Sequence, residues 1–219
     1  MALLLCLETA TRNCSVALVR DGQVIAIREH AEEGYTHAEK LHVFIEDVLQ
    51  EAGVLASELN AVAVSKGPGS YTGLRIGVSA AKGLCYALQI PLISVSTLQI
   101  LAHATSVDEG YIIPLIDARR MEVYTAVFDA YGKPLSAVEA MILSETSFEA
   151  WPGPCTFVGD CLPKAKTVLS QPRFQFLEAI TFPSAQTMAE LAATLYQEKQ
   201  FEDVAYFEPF YLKNFMVNP

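Results

Sequence analysis

The sequence is poor in charge, and poorer still in basic charge. Only 18% of its 219 residues are charged, and 15 Lys and Arg stand against 25 Asp and Glu, leaving a net charge of −10. That balance argues against an unaided grip on a nucleic-acid backbone, which needs a basic footprint. The close basic pairs, Arg119–Arg120 and Lys164/Lys166, read as solvated surface. No CxxC pair occurs, and the five cysteines, Cys6, Cys14, Cys85, Cys155 and Cys161, are scattered and odd in number. They read as buried thiols of a reducing cytoplasm, not as a disulfide frame or a zinc site. No apolar run is long enough to span a bilayer. Leu3–Leu7 is too short for a signal-peptide core, follows no basic segment and ends at Glu8, so a cytoplasmic protein without membrane contact is expected.

The usual catalytic signatures are missing as well. There is no GxxxxGK[ST] loop, no GxGxxG at a strand-to-helix turn and no GxSxG elbow. His37 and His42 are five residues apart on a helical stretch, whereas two metal ligands on one helix face want a spacing of three or four. The bland reading puts one of them on the packed face and the other in solvent. His30 and His103 stand alone, and no metal is expected.

What is present is apolar residue in quantity, 52% of the chain, enough for a substantial core. The organising stretch is Ser65–Leu84, SKGPGSYTGLRIGVSAAKGL. It follows the apolar run Leu59–Val64, is punctuated by Gly67, Pro68 and Gly69, and opens into a helix that Ser70 or Thr72 can cap. Leu74, Val78, Ala81, Cys85 and Leu88 recur at helical spacing and predict a core face. Gly73, Gly77, Ala80 and Ala87 form a second face of small residues. Such a face admits a close neighbour, either a partner helix or the rest of the same lobe.

Along the chain, Leu3–Leu7, Cys14–Val19 and Gln23–Glu29 read as strands, with Asp21-Gly22 as a hairpin turn. Tyr35–Ala52 is a helix ended by Gly53, Leu59–Ser65 a buried strand, and Leu92–Val95 another before a helix through Ala104. Three strands followed by alternating helices and strands differ from a doubly wound dinucleotide fold and match an α/β actin-like ATPase (ASKHA) core. After the polar break Ser106–Gly110 the meander repeats: strands at Tyr111–Ile116, Met121–Phe128 and near Leu135–Leu143, then weaker elements around Phe157–Val158 and Gln175–Leu177. Ser184–Gln197 is a helix, and the tail Val204–Leu212 is aromatic and extended. The expected division is an N-terminal lobe, 1–105, and a smaller C-terminal lobe, 106–219.

Glu8 and Asp117 each end the first strand of a half, where actin-like folds place catalytic and magnesium-linked acids. A residual nucleotide site would use Glu8, Thr9, Thr11, Asp117 and Gly159; the competing reading is that both acids cap turns. The turns Glu8-Thr9-Ala10-Thr11 and Asp117-Ala118-Arg119-Arg120 contain no glycine, so the close backbone approach of a phosphate hairpin is lost. The scaffold is retained while the nucleotide site looks eroded.

LLLCLETATRNCSVAL, the YTHAEKLHVFIEDVL helix, SKGPGSYTGLRIGVSAAKGL and the tail EPFYLKN together resemble the TsaB (YeaZ) family. The GPGSYTGLRIG block is shared in form with the paralogous TsaD proteins, but those are longer and carry an HxxxH metal pair that this chain lacks. The resemblance therefore implies a non-catalytic scaffold subunit. It would pair with the catalytic TsaD-type paralogue and, with a TsaE-type ATPase, support threonylcarbamoyl transfer to the adenosine beside the anticodon of tRNA. It would touch tRNA only through the complex, need no cofactor of its own while leaving room for ATP in the complex, and be able to form a homodimer alone. Glu8 departs from the aspartate usual at its place, which weakens an ATPase reading further. The alternative class is an ATP-using or metal-dependent enzyme in its own right, a threonylcarbamoyltransferase or a glycoprotease-like peptidase. The expected partner surface comprises His37, Leu41 and Phe44 on the first helix and Tyr71, Gly73, Leu74, Arg75, Gly77 and Val78 on the second.

Overall fold

The structure, a computed structural model, describes residues 2–31 and 37–213. It divides into two compact units: residues up to Thr97 together with those from Ser184 onward, and Leu98–Pro183.

The first unit is built on a five-stranded sheet. Strands β1 (Leu3–Glu8), β2 (Cys14–Arg20) and β3 (Gln23–His30) form an antiparallel meander. Asp21 and Gly22 turn its second hairpin with φ of 50° and 83°, the paired left-handed angles of a tight two-residue turn. Strand β4 (Ala61–Gly67) lies parallel to β1, and β5 (Leu92–Ser96) parallel to β4, giving the order β3-β2-β1-β4-β5. Helix α1 (His37–Ala52) packs on β2 and β3, and α2 (Tyr71–Leu88) packs mainly on β4. Leu3, Leu5 and Leu7 of β1 share one cluster with Leu41, Ile45 and Val48 of α1 and Val78 of α2. Leu4 and Cys6, on the alternate positions, are also fully buried, which requires cover on the other face of the sheet. Helix α5 (Ala185–Gln197) packs on β1, β2, β3 and β5 and buries Ala185, Met188, Ala189 and Ala192.

The second unit repeats this plan. Strands β6 (Tyr111–Asp117), β7 (Glu122–Thr125) and β9 (Glu139–Ile142) form its meander, and β10 (Cys155–Val158) and β11 (Phe174–Phe176) add in parallel, in the order β11-β10-β6-β7-β9. Numbered by role, both sheets run third, second, first, fourth, fifth strand, the duplicated arrangement of the actin-like (ASKHA) fold. Short helices α3 (Thr97–His103) and α4 (Leu162–Ala165) complete the described helices. Arg173 ties the unit's loops together. Its guanidinium donates to the carbonyls of Trp151, Gly153 (3.2 Å) and Phe148 (3.1 Å) and to Cys155 Sγ (3.1 Å).

Several boundaries differ from the sequence expectation. The two units part at Thr97/Leu98, not at residue 105, because Leu98, Leu101 and Ala102 of α3 bury their side chains among Ile112, Ile116, Phe128 and Val158. The C-terminal helix α5 belongs to the first unit. Its cap residue Ser184 bonds Glu29, and the Ala185 amide donates to Ser15 Oγ at 2.9 Å. The strand expected over Met121–Phe128 is split into β7 and β8 (Phe128–Asp129). Between them Val127 turns its backbone away from β6, accepting from the Leu135 amide at 2.8 Å and donating to Ser136 Oγ at 2.9 Å. The tail forms no strand beyond a single bridge between Glu202 and Leu92. The part of the first helix expected before His37 lies outside the described residues.

Candidate functional site

The GPGSYTG block forms a socket for the β1–β2 turn. A Cβ placed on Gly69 would stand 2.3 Å from the carbonyl oxygen of Ala10; one on Gly73, 2.1 Å from that of Thr9; one on Gly77, 2.2 Å from Thr9 Oγ1. Three glycines therefore let the start of α2 close onto the turn without side chains between them. Hydrogen bonds lock the contact. Thr9 Oγ1 donates to the Gly73 carbonyl at 2.8 Å, and the Ser70 amide donates to the Ala10 carbonyl at 2.7 Å. Ser70 also caps α2 by accepting from the Gly73 amide.

Glu8 lies at the base of this socket and is fully buried. Its Oε1 accepts from the Ala10 amide at 2.7 Å and from Ser65 Oγ at 2.9 Å, while Oε2 has no hydrogen-bond partner among the described residues. Burial pushes its pKa up to about 7, against the opposing pull of those donors. His37, also buried, donates from Nε2 to the Thr11 carbonyl at 2.7 Å. Its pKa is lowered, chiefly by desolvation, which favours the neutral ring.

Within the second unit, Asp117 ends β6 at the corresponding turn, and Gly159 follows the neighbouring parallel strand β10. The Asp117 amide donates to Asp160 Oδ1 at 2.9 Å, and the Arg119 amide to Asp117 Oδ1 at 3.1 Å. Lys164 Nζ pairs with Asp117 Oδ1 at 2.5 Å and donates to the carbonyls of Arg120 and Glu122 at 2.9 and 2.7 Å. Gly159 has φ of 113°, and a Cβ there would meet the Leu115 carbonyl oxygen at 2.2 Å, so the chain's own packing demands the glycine. The Ala10, Asp117 and Arg119 amides are thus bonded to the protein's own carboxylates, while Thr11 Oγ1 has no hydrogen-bond partner among the described residues. Among the described residues, no group of three or more His, Cys, Asp or Glu side chains could hold a metal ion.

The second feature is a groove of about 600 Å³ between α1 and α2, lined by Ala38, His42, Arg75, Ile76, Ser79, Ala80, Gly83 and Leu84. The residues expected at a partner surface divide around it. Arg75 is exposed and Phe44 and Tyr71 are half-buried, whereas His37, Leu41, Gly73, Leu74, Gly77 and Val78 are buried inside the unit. The small-residue face is correspondingly shared. Gly73 and Gly77 serve the socket, Ala80 lines the groove and Ala87 is exposed; Gly83, outside that face, has open space beyond its Cβ position. Sequence reading passed over Gly83, Ser79 and His42 as groove residues. The wheel spacing of Arg75, Ser79 and Gly83, at successive turns, was the signal available.

The family described as TsaD, tRNA N6-adenosine threonylcarbamoyltransferase, matches residues 28–217. The tRNA threonylcarbamoyladenosine biosynthesis protein TsaB of Escherichia coli (strain K12) is 31% identical over 96% of this chain and 94% of its own. The chain belongs to the TsaB (YeaZ) family. TsaB of Haemophilus influenzae is likewise 31% identical, over 96% of this chain and 93% of its own. YeaZ from Pseudomonas aeruginosa superimposes with a TM-score of 0.82 at 29% identity, covering 97% of this chain and all of that one. No described helix is long and apolar enough to cross a membrane.

Proposed function

We propose that this chain is the non-catalytic scaffold subunit of a tRNA threonylcarbamoyladenosine-forming complex. It pairs with a TsaD-type catalytic paralogue through the α1–α2 groove and works with a TsaE-type ATPase. One observation carries the non-catalytic part: the Ala10 amide is held by Glu8, the Asp117 amide by Asp160, and the Asp117 carboxylate by Lys164. Each such bond removes a donor that a phosphate hairpin would use, which supports ATP being handled elsewhere in the complex. The net charge of −10 supports contact with tRNA by way of the partner. A groove between two exposed helices suits a paralogue offering the same pair, and by the same logic a second copy when the partner is absent. A cytoplasmic site of action follows from the substrate.

The test is reconstitution. The purified chain, a TsaD-type subunit and a TsaE-type subunit are assayed singly and together for threonylcarbamoyl transfer to a tRNA transcript. The chain alone should be inactive and the mixture active only when it is present. Turnover by the chain alone, or full activity without it, would overturn the reading.

A further inference from the structure

Residues 202–211 form a strap laid along the flank of α2 that reaches Tyr71. Its first anchor is Glu202, whose amide donates to the Leu92 carbonyl at 2.9 Å and whose carboxylate accepts from Ser94 Oγ. Next, Lys82 Nζ of α2 donates to the carbonyls of Ala205 (3.1 Å) and Phe207 (2.8 Å), while Val204 and Phe207 pack against the first unit's core. The third anchor is the Phe210 amide, which donates to the Lys66 carbonyl at 2.7 Å. Only a glycine fits beneath it, since a Cβ on Gly67 would stand 2.8 Å from the Phe210 carbonyl oxygen.

These anchors deliver Tyr211 to Tyr71, with ring centroids 4.8 Å apart. Tyr71 in turn carries the Arg75 guanidinium 5.6 Å from its ring centroid. Tyr71 and Lys82 lie about three turns apart, hence on one side of α2, and Arg75, one turn beyond Tyr71, borders the groove side. Arg75 is exposed, and no carboxylate among the described residues pairs with it. An exposed arginine is free to sample many rotamers, and stacking on an aromatic face narrows that choice.

We infer that the strap, through Tyr211 and Tyr71, holds Arg75 at the rim of the α1–α2 groove, ready for a carboxylate on the partner's docking helix. Tyr211 and Tyr71 are then positioning residues for the interface, and the C-terminal strap is part of the docking surface although it lines none of the groove. The inference rests on the groove being the partner face.

The experiment measures affinity for the purified TsaD-type subunit at several salt concentrations, using full-length variants whose folding is checked by circular dichroism. Arg75→Ala should weaken binding about fivefold and flatten its salt dependence. Tyr211→Ala should do the same in direction, Tyr211→Phe should bind like the parent because the ring is kept, and Tyr211→Ala should add little in the Arg75→Ala background. A folded Tyr211→Ala protein with parental affinity and salt dependence overturns the inference, as does additivity of the two substitutions. Gly83→Trp separates the underlying reading. If it abolishes binding while Tyr211→Ala is neutral, the groove stands and the strap's role falls; if it binds normally, the groove itself is not the partner face and both fall.

Discussion

Thr9 and Gly73 hold each other reciprocally. The threonine hydroxyl donates to the Gly73 carbonyl at 2.8 Å, while the threonine's own carbonyl oxygen occupies the place a side chain at position 73 would need, 2.1 Å from the Cβ position. Gly69, Gly73 and Gly77 of the most distinctive stretch in the chain therefore serve to close α2 onto the β1–β2 turn. That assigns them to the interior, and it sharpens what substitutions there should do.

Gly73→Ala should destabilise the protein by about 2–3 kcal/mol, because the clash is with backbone and the gain in helix propensity offsets only about 1 kcal/mol. Gly77→Ala meets the rotatable Thr9 hydroxyl and should cost roughly 1 kcal/mol, mainly through the lost Thr9–Gly73 bond. Urea unfolding followed by far-ultraviolet circular dichroism measures both, and the order of the two is the checkable result.

Gly83 gives the opposite expectation. Its Cβ position is open, so Gly83→Ala should stabilise the isolated chain by about 0.5–1 kcal/mol through helix propensity alone. Gly83→Leu should keep the fold and lose the TsaD-type partner in a pull-down from the purified mixture. Loss of folding would place Gly83 in the core instead.

Glu8 makes stability depend on pH. Its folded pKa of about 7 lies above the ordinary value near 4.5, so the folded state binds the proton more tightly. The contribution is fully present below about 4.5, is lost progressively as pH rises towards 7, and changes no further above that; its size is roughly 3 kcal/mol. Glu8→Gln should flatten this part of the profile and raise stability at pH 8. Thermal melts of both proteins between pH 4.5 and 8 give the comparison.

Arg173→Met should loosen the second unit by on the order of 2–4 kcal/mol, because it leaves the Phe148, Trp151 and Gly153 carbonyls without their charged donor. Trp151 is the single tryptophan and packs edge-on to Tyr111 at 5.2 Å. Its fluorescence in a urea titration therefore reports this unit, and an unchanged midpoint would show the arginine to be dispensable.

Much of this was legible in the sequence by itself, and for local reasons. Short apolar runs and Asp21-Gly22 marked the first meander, since strand burial and left-handed turns constrain residue type directly. Ser70 and Ser184 marked the starts of α2 and α5, because a helix start needs a side-chain acceptor within three residues. The absence of glycine in the two turns already spoke against phosphate hairpins. What only the tertiary structure decided were the long-range choices. An alanine-rich face on α5 fits any apolar sheet, and only the Ser15 and Glu29 contacts, far away in the chain, placed it on the first unit. Gly73, Gly77 and Gly83 look alike in sequence, since an unsubstituted Cα says that something approaches closely but not what. The turn at Thr9 fills the first two positions, and the third is left open to the groove.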